Sequence, residues 1–505
     1  MDRQVVEYLK RQQIKVIEED IEQKLDTWRD WYKGKVETFH NYKVYQGKKK
    51  INLDRKSLGM AARASQRWAD LLINEKVEIN INDEYTEERL QELLHNVNFY
   101  VRGNNLIETA FAIGGGFFIQ YWDGEKTAQK YVMQDYFYPI SYDSGRLTEA
   151  AFSTRKHIDG KEYVYLETHL LDDKGEYVID NTLLKSEGGE LVEVSPSFYE
   201  EHQIIPKWET HSKNPLFQMV RPNVANRDSF NSPYGQSIYC GAIDILKVID
   251  TIYDSYYKEF LLGKKRIFVK DGVSNINFDK TTGETIEVFD PNDEVFYRLP
   301  GDENDPPLTE SNPALRTGDH NMALQTQLDC LSQAVGFGSN GFKWEAGAVS
   351  TATQIISENS EMFRTLKKHE ALVRDAVINM AKGLLYIEAV FGGDKKLKLD
   401  ADITVNFDDS IIEDTTEIKR QAMLEYNAGL IDAIEYYMTV YKMTEEQAIE
   451  WRQRMLDRAL PIEEEPEPEG PEDDPPTPPK KAPKKEDKKD DKKEDKKPTE
   501  KKDKE

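Results

Sequence analysis

Apolar residues recur with helical spacing in the first part of the chain. Residues 1–35 and 54–75 are predicted to be helices, the second because Leu58, Trp68 and their apolar neighbours fall on one face. A third helix is predicted over residues 87–112, whose start is rich in acidic residues, as is typical of a helix N-terminus.

Beyond residue 112 the spacing changes from helical to alternating. Segments 114–122 and 131–142, followed by EAAFSTRKHI and EYVYLETHLL, alternate aromatic or β-branched residues with polar ones. Asp-Gly and Lys-Gly pairs separate several of these segments. The pattern predicts successive antiparallel strands joined by turns, and therefore an α+β fold class through about residue 230.

Helical spacing returns in the second half. Helices are predicted over residues 233–262, which carry a Pro at the start and are followed by Gly263, and over residues 320–335. A short β-rich insertion lies between them. A glycine-rich segment, residues 336–350, precedes the longest predicted helix, residues 351–391.

The longest helix carries a seam of apolar residues at intervals of three, four and seven, which is typical of a coiled coil. A strand, LDADITVNF, and two or three helices follow, up to residue 460. From residue 461 onward aromatic residues are absent and Pro, Lys, Asp and Glu dominate. Such a segment buries too little apolar surface to fold, so disorder is predicted for residues 461–505.

Charge narrows the possible functions. The 505 residues contain 68 Lys and Arg against 93 Asp and Glu, a formal net charge of −25. This surplus disfavours nonspecific binding to nucleic acids or anionic membranes, so any DNA contact is expected to be local. The chain shows no signal-like start and no run of about 18 apolar residues, which predicts a soluble, cytoplasmically made protein with no membrane partner.

Signatures of catalysis are missing from the sequence. The glycine run at residues 114–116 lacks the frame of a phosphate-binding loop, and no nucleophile elbow or zinc-protease helix occurs. Two cysteines without a Cys-x-x-Cys pair exclude a disulfide framework or zinc knuckle. The acid-rich loops near residues 302–305 and 408–414 would bind Mg²⁺ only if carboxylates converged. We therefore predict no enzyme activity, no catalytic residue, no metal and no cofactor.

Several blocks of sequence carry a family resemblance. They are FHNYKVYQGKKK with the downstream KSLGMAARASQRWADLLINEKVEI, then SPYGQSIYCGAIDILKVIDTIYDSYYKEFLLGKKRIFV, and finally TATQIISENSEMFRTLKKHE. In these blocks and in the order of its parts, over roughly residues 20–455, the chain resembles the portal proteins of tailed bacteriophages. These are the head-to-tail connectors, and the likeness is greatest to those of long-tailed phages of Gram-positive hosts.

The resemblance implies a ring of twelve identical subunits at one capsid vertex. Double-stranded DNA would be packaged and ejected through its channel. The implied partners are the terminase large subunit, then the head-tail adaptor protein, together with the major capsid and scaffolding proteins. The implied location is the virion, and the host cytoplasm during assembly. Two alternatives stay open: a metal-dependent phosphodiesterase or nuclease that uses the acidic loops, and a coiled-coil scaffold protein.

The resemblance also assigns each segment a place in the ring subunit. The predicted parts are the wing (1–232), the first stem helix (233–262), the clip (263–319), the second stem helix (320–335), the tunnel loop (336–350), the long wing helix with a closing strand (351–410), the crown helices (411–460) and the disordered tail (461–505).

On the first stem helix, acidic residues are expected to line the channel, because twelve-fold rings of carboxylates would repel phosphate and keep DNA from being held. The candidates are Asp244, Asp250, Asp254 and Glu259. The alternative is an ordinary solvated helix face. A basic cluster at the end of this helix interacts favourably with the helix dipole. It is also a candidate for phosphate contacts near the junction of stem and clip. It comprises Lys264, Lys265 and Arg266.

In the tunnel loop, three residues are expected to face DNA: Asn340, Lys343 and Trp344. Four glycines are expected to let the loop change shape, because glycine has the widest conformational freedom. They are Gly336, Gly338, Gly341 and Gly347. The alternative is a flexible connector in which Trp344 is buried.

Overall fold

The structure is a computed structural model. It describes residues 2–46, 48–74, 77–270, 276–278, 281, 285–287, 296–299, 306–339, 341–344, 352–407, 415–441 and 443–459. The predicted disordered tail and tunnel-loop residues 340 and 345–350, which include the candidates Asn340 and Gly347, lie outside the described residues. The chain divides into two compact units, Met1–Glu417 and Ile418–Glu505.

Helices lie in both units. They are α1 (Arg3–Arg11), α2 (Glu22–Tyr32), α3 (Glu37–His40), α4 (Met60–Leu72), α5 (Glu84–Asn96), α6 (Phe99–Ile113), α7 (Pro196–Glu201), α8 (Ile243–Leu262), α9 (Thr317–Ala334), α10 (Ala352–Val390), α11 (Thr415–Asn427), α12 (Ala433–Tyr441) and α13 (Glu445–Ala459). A 3₁₀ turn covers Gln134–Tyr136.

All described strands belong to the first unit. They are β1 (Asn41–Gln46), β2 (Lys49–Asp54), β3 (Glu78–Ile81), β4 (Gly116–Trp122), β5 (Thr127–Met133), β6 (Phe137–Asp143), β7 (Arg146–Ile158), β8 (Lys161–Leu171), β9 (Tyr177–Glu187), β10 (Glu190–Glu193), β11 (Lys207–Glu209), β12 (Phe217–Val220), β13 (Arg266–Lys270), β14 (Ile276–Phe278), β15 (Thr285–Glu287), β16 (Phe296–Leu299), β17 (Leu308–Ser311) and β18 (Ile403–Asn406).

The largest sheet is an antiparallel meander in the order β10-β9-β8-β7-β6, with β11 added beside β9. Helix α1 contributes Val5 and Leu9 to a core that also contains Tyr138, Leu166 and Leu184 of this sheet. Smaller sheets have the orders β12-β4-β5, β16-β13-β17 and β18-β3, and two hairpins pair β1 with β2 and β14 with β15. The predicted α+β class and the antiparallel strands are confirmed.

Two predicted helices are interrupted. The helix predicted over residues 87–112 is two helices, α5 and α6, because Asn98 adopts the left-handed conformation with φ of 53°. The helix predicted over residues 1–35 is likewise broken after α1, where Gln13 has φ of 62°. Helical spacing in a sequence does not reveal a single left-handed residue, since such a residue leaves the apolar pattern unchanged.

The helix predicted over residues 233–262 begins only at Ile243, so its predicted start is wrong. The residues before it pack against other segments instead of forming a helix. The amide of Ile238 donates to the carbonyl of Phe111 at 2.9 Å, and the amide of Gly235 donates to Oε1 of Gln134 at 2.9 Å. Since these backbone donors are satisfied elsewhere, the segment gains nothing by becoming helical.

Helices α8 and α9 pack side by side in the first unit. Near the C-terminal end of α8, Glu259 pairs at 2.7 Å with Arg316, which directly precedes α9. One turn earlier on α8, Ser255 lies 3.1 Å from His320, which is about one turn further along α9. The two helices are therefore antiparallel. Residues 263–316 join them and contain β13 to β17, in which β13 pairs parallel with β16 and antiparallel with β17.

The seam of α10 is buried within its own chain. Its members Leu366, Val373, Val377, Met380 and Leu384 belong to the main core, and Ile387 belongs to a smaller core. These residues pack against strands and helices of the first unit, so the seam is not free to pair with another chain. The coiled-coil scaffold hypothesis loses its physical basis.

The second unit contains most of α11 together with α12 and α13. A capping box begins α13: the amide of Thr444 donates to Oε1 of Gln447 at 3.1 Å, and the amide of Gln447 donates to Oγ1 of Thr444 at 3.3 Å. Within the described residues of this unit, few apolar side chains are buried, and Leu430 is 74% exposed. Among all described helices, none combines the length and apolar character needed to cross a membrane.

Candidate functional site

The candidate site lies along α8, α9 and the segment that follows α9. Its predicted residues fall into three groups: four acids on α8, a basic cluster at the end of α8, and the residues after Ala334. The structure brings the second and third groups near one another, because Lys264 and Trp344 line the same cavity of about 470 Å³ on α8. The other lining residues are Tyr253, Tyr256, Tyr257, Phe260 and Leu261.

Two of the four predicted channel acids are buried. Asp250 is 3% exposed and Asp254 is 4% exposed. Asp250 accepts from Nε2 of His40 at 3.0 Å and from the amide of Leu58 at 2.8 Å. Asp254 accepts from the amide of Lys56 at 3.2 Å and pairs with Lys258 at 2.5 Å. The prediction that these two carboxylates line a channel is wrong, because each is enclosed and paired within its own chain.

The remaining two acids differ from each other. Glu259 is held by Arg316, whose side-chain hydrogen bond is the main cause that keeps the pKa of Glu259 at about 2. Asp244 is exposed, and its neighbour one turn away, Lys247, lies 2.8 Å from its carboxylate. Of the four predicted acids, Asp244 is therefore the one whose carboxylate faces solvent, where it is paired with Lys247.

The basic cluster is distributed over a turn and a strand. Lys265 pairs with Glu310 at 2.7 Å, which joins the end of α8 to β17. Arg266 is the first residue of β13 and lies opposite Ser311 in the register. Lys264 and Lys265 are exposed, whereas Arg266 is half-buried. Part of the predicted cluster thus holds the β-rich insertion onto α8.

The glycines after α9 permit a tight reversal of the chain. Gly336 has φ of 87° and Gly338 has φ of 72°, both in the left-handed region. Gly341 has no room for a side chain, because a Cβ there would lie 2.3 Å from Oγ of Ser332. From the sequence, these glycines were expected to let the loop change shape. In the structure, the folded conformation requires glycine at these three positions.

The segment that follows the reversal packs back along α9. The amide of Gly341 donates to Oγ of Ser332 at 2.9 Å. Gln325 donates to the carbonyl of Phe342 at 2.9 Å and accepts from the amide of Trp344 at 2.8 Å. We call the described residues 337–339 and 341–344 the strap, because side chains of α9 fasten its backbone.

The two described residues that were expected to face DNA differ in exposure. Lys343 is exposed. Trp344 is half-buried, its indole N–H donates to Oδ1 of Asn321 at 3.2 Å, and its ring lies edge-on to Tyr253 and Tyr256 at 6.2 and 6.4 Å. Lys343 is therefore the stronger candidate for a phosphate contact, and Trp344 lies in the aromatic cavity beside α8.

Helix α4 supplies two residues that the sequence did not connect with this site. The indole N–H of Trp68 donates to the carbonyl of Val335 at 3.0 Å, and its ring stacks on Phe337 at 4.4 Å. The guanidinium of Arg67 lies 4.6 Å from the centre of the Phe337 ring. The sequence marked Trp68 only as a core residue of α4, and no local signal placed either residue near residues 335–342.

The described residues contain no group of three or more His, Cys, Asp and Glu side chains arranged to bind a metal ion. The acidic loops considered for a magnesium site, residues 302–305 and 408–414, lie outside the part of the chain that the structure describes. The geometry of the described residues therefore gives no support to the catalytic alternative.

Comparison with known proteins gives the following matches. Two solved structures are similar to this chain: a chain in the neck of a native gene transfer agent particle computed with C12 symmetry, and a chain in the virion of a native gene transfer agent particle. The first is 11% identical with a TM-score of 0.39 and covers 76% of this chain and 90% of that chain. The second is 10% identical with a TM-score of 0.41 and covers 84% and 95%.

No curated protein sequence matches this chain. The sequence profile of one family, described as "Phage portal protein, SPP1 Gp6-like", matches residues 12–459. This match takes in all helices from α2 to α13, the β-rich insertion and the strap, and so covers nearly the whole of the described chain. On this evidence the chain belongs to the SPP1 Gp6-like family of phage portal proteins.

Proposed function

We propose that copies of this portal protein close into a ring, with twelve as the expected number, and that double-stranded DNA passes through the central channel during packaging and ejection. The observation that carries the proposal is the antiparallel pair α8 and α9, which lies within the family match and leads directly into the strap. The ring would occupy one vertex of the virion capsid, and its subunits would be made and assembled in the host cytoplasm.

Apolar side chains left exposed on the helix pair support assembly. They are Val248, Tyr257, Phe260, Leu261, Leu262 and Met322, with exposed fractions between 43% and 68%. Exposed large apolar side chains are typical of a protein interface when they lie close together, as Tyr257, Phe260 and Leu261 do around one cavity. In a closed ring each subunit uses two different faces, one for each neighbour, so both sides of a helix pair become covered.

The charges fit a channel that does not hold DNA tightly. Asp244 is exposed on α8, and twelve copies of it, each paired with Lys247, would form one ring of balanced charge in place of the four acidic rings that the sequence suggested. The net charge of −25 opposes nonspecific attachment to phosphate. Lys343 on the strap is the proposed point of weak phosphate contact, and Lys264 is a second one near the end of α8.

The proposed division of labour among the segments follows the family resemblance. Residues 1–232 and the long helix α10 would form the wing, which contacts the major capsid and scaffolding proteins. Residues 263–319 would form the clip, to which the terminase large subunit docks first and the head-tail adaptor later. Exposed Tyr297 and Leu308 on strands of this segment support a docking role, since apolar side chains at a surface are typical of an interface.

The mass of the assembled particle tests the proposal. Full-length protein would be measured by native mass spectrometry and imaged by negative stain over a range of protein and salt concentrations. A particle of about twelve subunits with a central hole supports the ring. A monomer or dimer without a hole at every concentration contradicts it. The nuclease alternative would require DNA cleavage that a chelator abolishes, and the same preparation can be assayed for it.

A further inference from the structure

Arg67 on α4 is a half-buried cation whose contacts are unusual. Among the described residues it has no carboxylate partner, and burial lowers the pKa of its guanidinium. A charge in this position costs free energy unless other groups stabilise it. What surrounds Arg67 is the strap, which offers two aromatic rings and a carbonyl group.

The guanidinium contacts the strap in three ways. Its centre lies 4.6 Å from the ring centre of Phe337 and 5.7 Å from that of Phe342. Nη1 donates a hydrogen bond to the carbonyl of Gly341. The two rings lie 5.4 Å apart in an edge-to-face arrangement, so one cation faces both of them. Cation–π attraction is stronger where the cation is partly desolvated, and this guanidinium is half-buried.

The neighbouring Trp68 fastens the beginning of the same segment. Its indole donates to the carbonyl of Val335, and its ring stacks on Phe337 with an interplanar angle of 14°. Trp68 also lies roughly perpendicular to the ring of His369 on α10, with the ring centres 4.8 Å apart. Burial lowers the pKa of His369 to about 3, so this imidazole is uncharged at neutral pH. Trp68 therefore holds the start of the strap at Phe337, and Arg67 holds its later residues Gly341 and Phe342.

Helix α9 holds the opposite side of the strap by polar side chains. Ser332 and Gln325 accept from the amides of Gly341 and Trp344, and Gln325 also donates to the carbonyl of Phe342. The strap thus lies between α4 and α9, and the two helices hold it by different chemistry. From α4 the contacts are cationic and aromatic, and from α9 they are hydrogen bonds to the backbone.

We propose that Arg67 is a positioning residue of this portal protein. It seats the strap against α9 and so fixes the point, after Trp344, from which residues 345–350 continue. The functional consequence of this proposal rests on the proposed function: DNA is retained in the ring only when the strap is correctly seated. Lysine cannot perform the role of Arg67. Its ammonium group is not planar, so it cannot stack on an aromatic ring and donate to a carbonyl at the same time, as a guanidinium can.

The test is hydrogen–deuterium exchange of the full-length protein, measured by mass spectrometry over residues 335–344. Arg67→Lys keeps the charge and Arg67→Ala removes the side chain. Arg63→Lys, one turn earlier on the exposed side of α4, is the matched control. We expect exchange in the strap to be roughly tenfold faster in both Arg67 variants, and unchanged in the control.

Each outcome decides the proposal. Faster exchange that is confined to the strap in Arg67→Lys supports it, and strap exchange equal to that of the wild type in this variant overturns it. If exchange is also faster throughout α4 in both Arg67 variants, the substitutions have disturbed the helix itself. Gln325→Ala is then measured in place of the Arg67 variants. That variant leaves Arg67 in place and should free the amide of Trp344 while the amide of Gly341 stays protected. Equal loss of protection at both amides would overturn the proposal.

The functional consequence is measured separately. Rings of Arg67→Lys should have the wild-type mass, while DNA retention falls at least severalfold. If the wild-type protein forms no ring, the proposed function fails, but strap exchange still tests the role of Arg67. If rings form and retain DNA normally while strap exchange is faster, the positioning role in DNA retention is contradicted and the ring proposal stands.

Discussion

Nε2 of His40 lies 3.0 Å from Oδ2 of Asp250, and both side chains are almost completely buried. The amide of Val36 donates to Nδ1 of the same imidazole at 2.8 Å, which leaves Nε2 to carry the proton. Asp250 also accepts from the amide of Leu58 at 2.8 Å. One carboxylate on α8 therefore ties two distant segments of the chain to this helix.

Replacing Asp250 tests whether this carboxylate is structural. Asp250→Ala leaves the buried Nε2–H of His40 and the amide of Leu58 without an acceptor, at a cost of about 1–3 kcal/mol for each unsatisfied group. We expect the Tm, measured by differential scanning calorimetry, to fall by several degrees. Asp244→Ala on the exposed face of the same helix is the control and should leave the Tm unchanged. Equal Tm values for both variants would show that Asp250 is not a structural tie.

Acid sensitivity is expected from Glu167. Burial opposes its ionisation, but the Lys130 ammonium and a hydrogen bond from His169 outweigh burial and lower its pKa from 4.5 to about 2. A carboxyl with a lowered pKa in the folded state adds stability above the unfolded pKa, and this stability is lost as the pH falls from about 4.5 towards 2.

Measurement of the Tm against pH checks this prediction. The wild-type Tm should fall more steeply across that range than the Tm of Glu167→Gln, which has no charge to lose. Parallel curves for the two proteins would mean that Glu167 does not contribute to the acid sensitivity. Glu162→Gln is the matched control, because Glu162 lies on the same strand, is exposed, and pairs with Arg155 and His157, which are exposed as well.

A methyl group at residue 235 should prevent normal folding. A Cβ on Gly235 would lie 1.9 Å from the carbonyl oxygen of Gly114, and both groups are backbone in a tightly packed region. Gly235→Ala is therefore expected to reduce the yield of soluble protein or to lower the Tm strongly. Gly318→Ala in the first turn of α9, where no atom lies within 4 Å of the added Cβ, should have the wild-type Tm or a slightly higher one. Similar Tm values for the two variants would refute the close contact.

Lys343 is expected to act on DNA without affecting assembly. The side chain is exposed on the strap, so Lys343→Glu removes one attraction to phosphate and adds a repulsion in every subunit. Native mass spectrometry should give the same particle mass as the wild type, while the amount of DNA packaged or retained should fall. Lys395→Glu, at an exposed position just beyond α10, is the control. Unchanged DNA retention in Lys343→Glu would remove this residue from the proposed DNA path.

Removal of residues 461–505 should leave the Tm unchanged. The segment holds no aromatic residue and has a composition that does not form a packed core. The measurement is a thermal melt of the truncated protein beside the full-length protein. A Tm lower by several degrees would show that the segment packs against the folded part of the chain.

The sequence by itself determined the periodic features of this protein. The longest helix, predicted over residues 351–391, is α10 (Ala352–Val390), and the helix predicted over residues 320–335 is α9 (Thr317–Ala334). The alternating segments form antiparallel strands, and the sequence blocks identified the family. Periodicity and turn residues are local properties, so they can be interpreted without knowledge of the partners.

Tertiary structure alone decided which residues are available for function. Asp244 and Asp250 have the same residue type on the same helix, yet one is exposed and the other is buried against His40, 210 positions away in the sequence. Arg67 reaches the strap from 274 positions away, and nothing near it in the sequence indicates the two rings that it meets. Burial and pairing depend on these distant partners, because a side chain's environment is created by whichever segments the fold brings beside it.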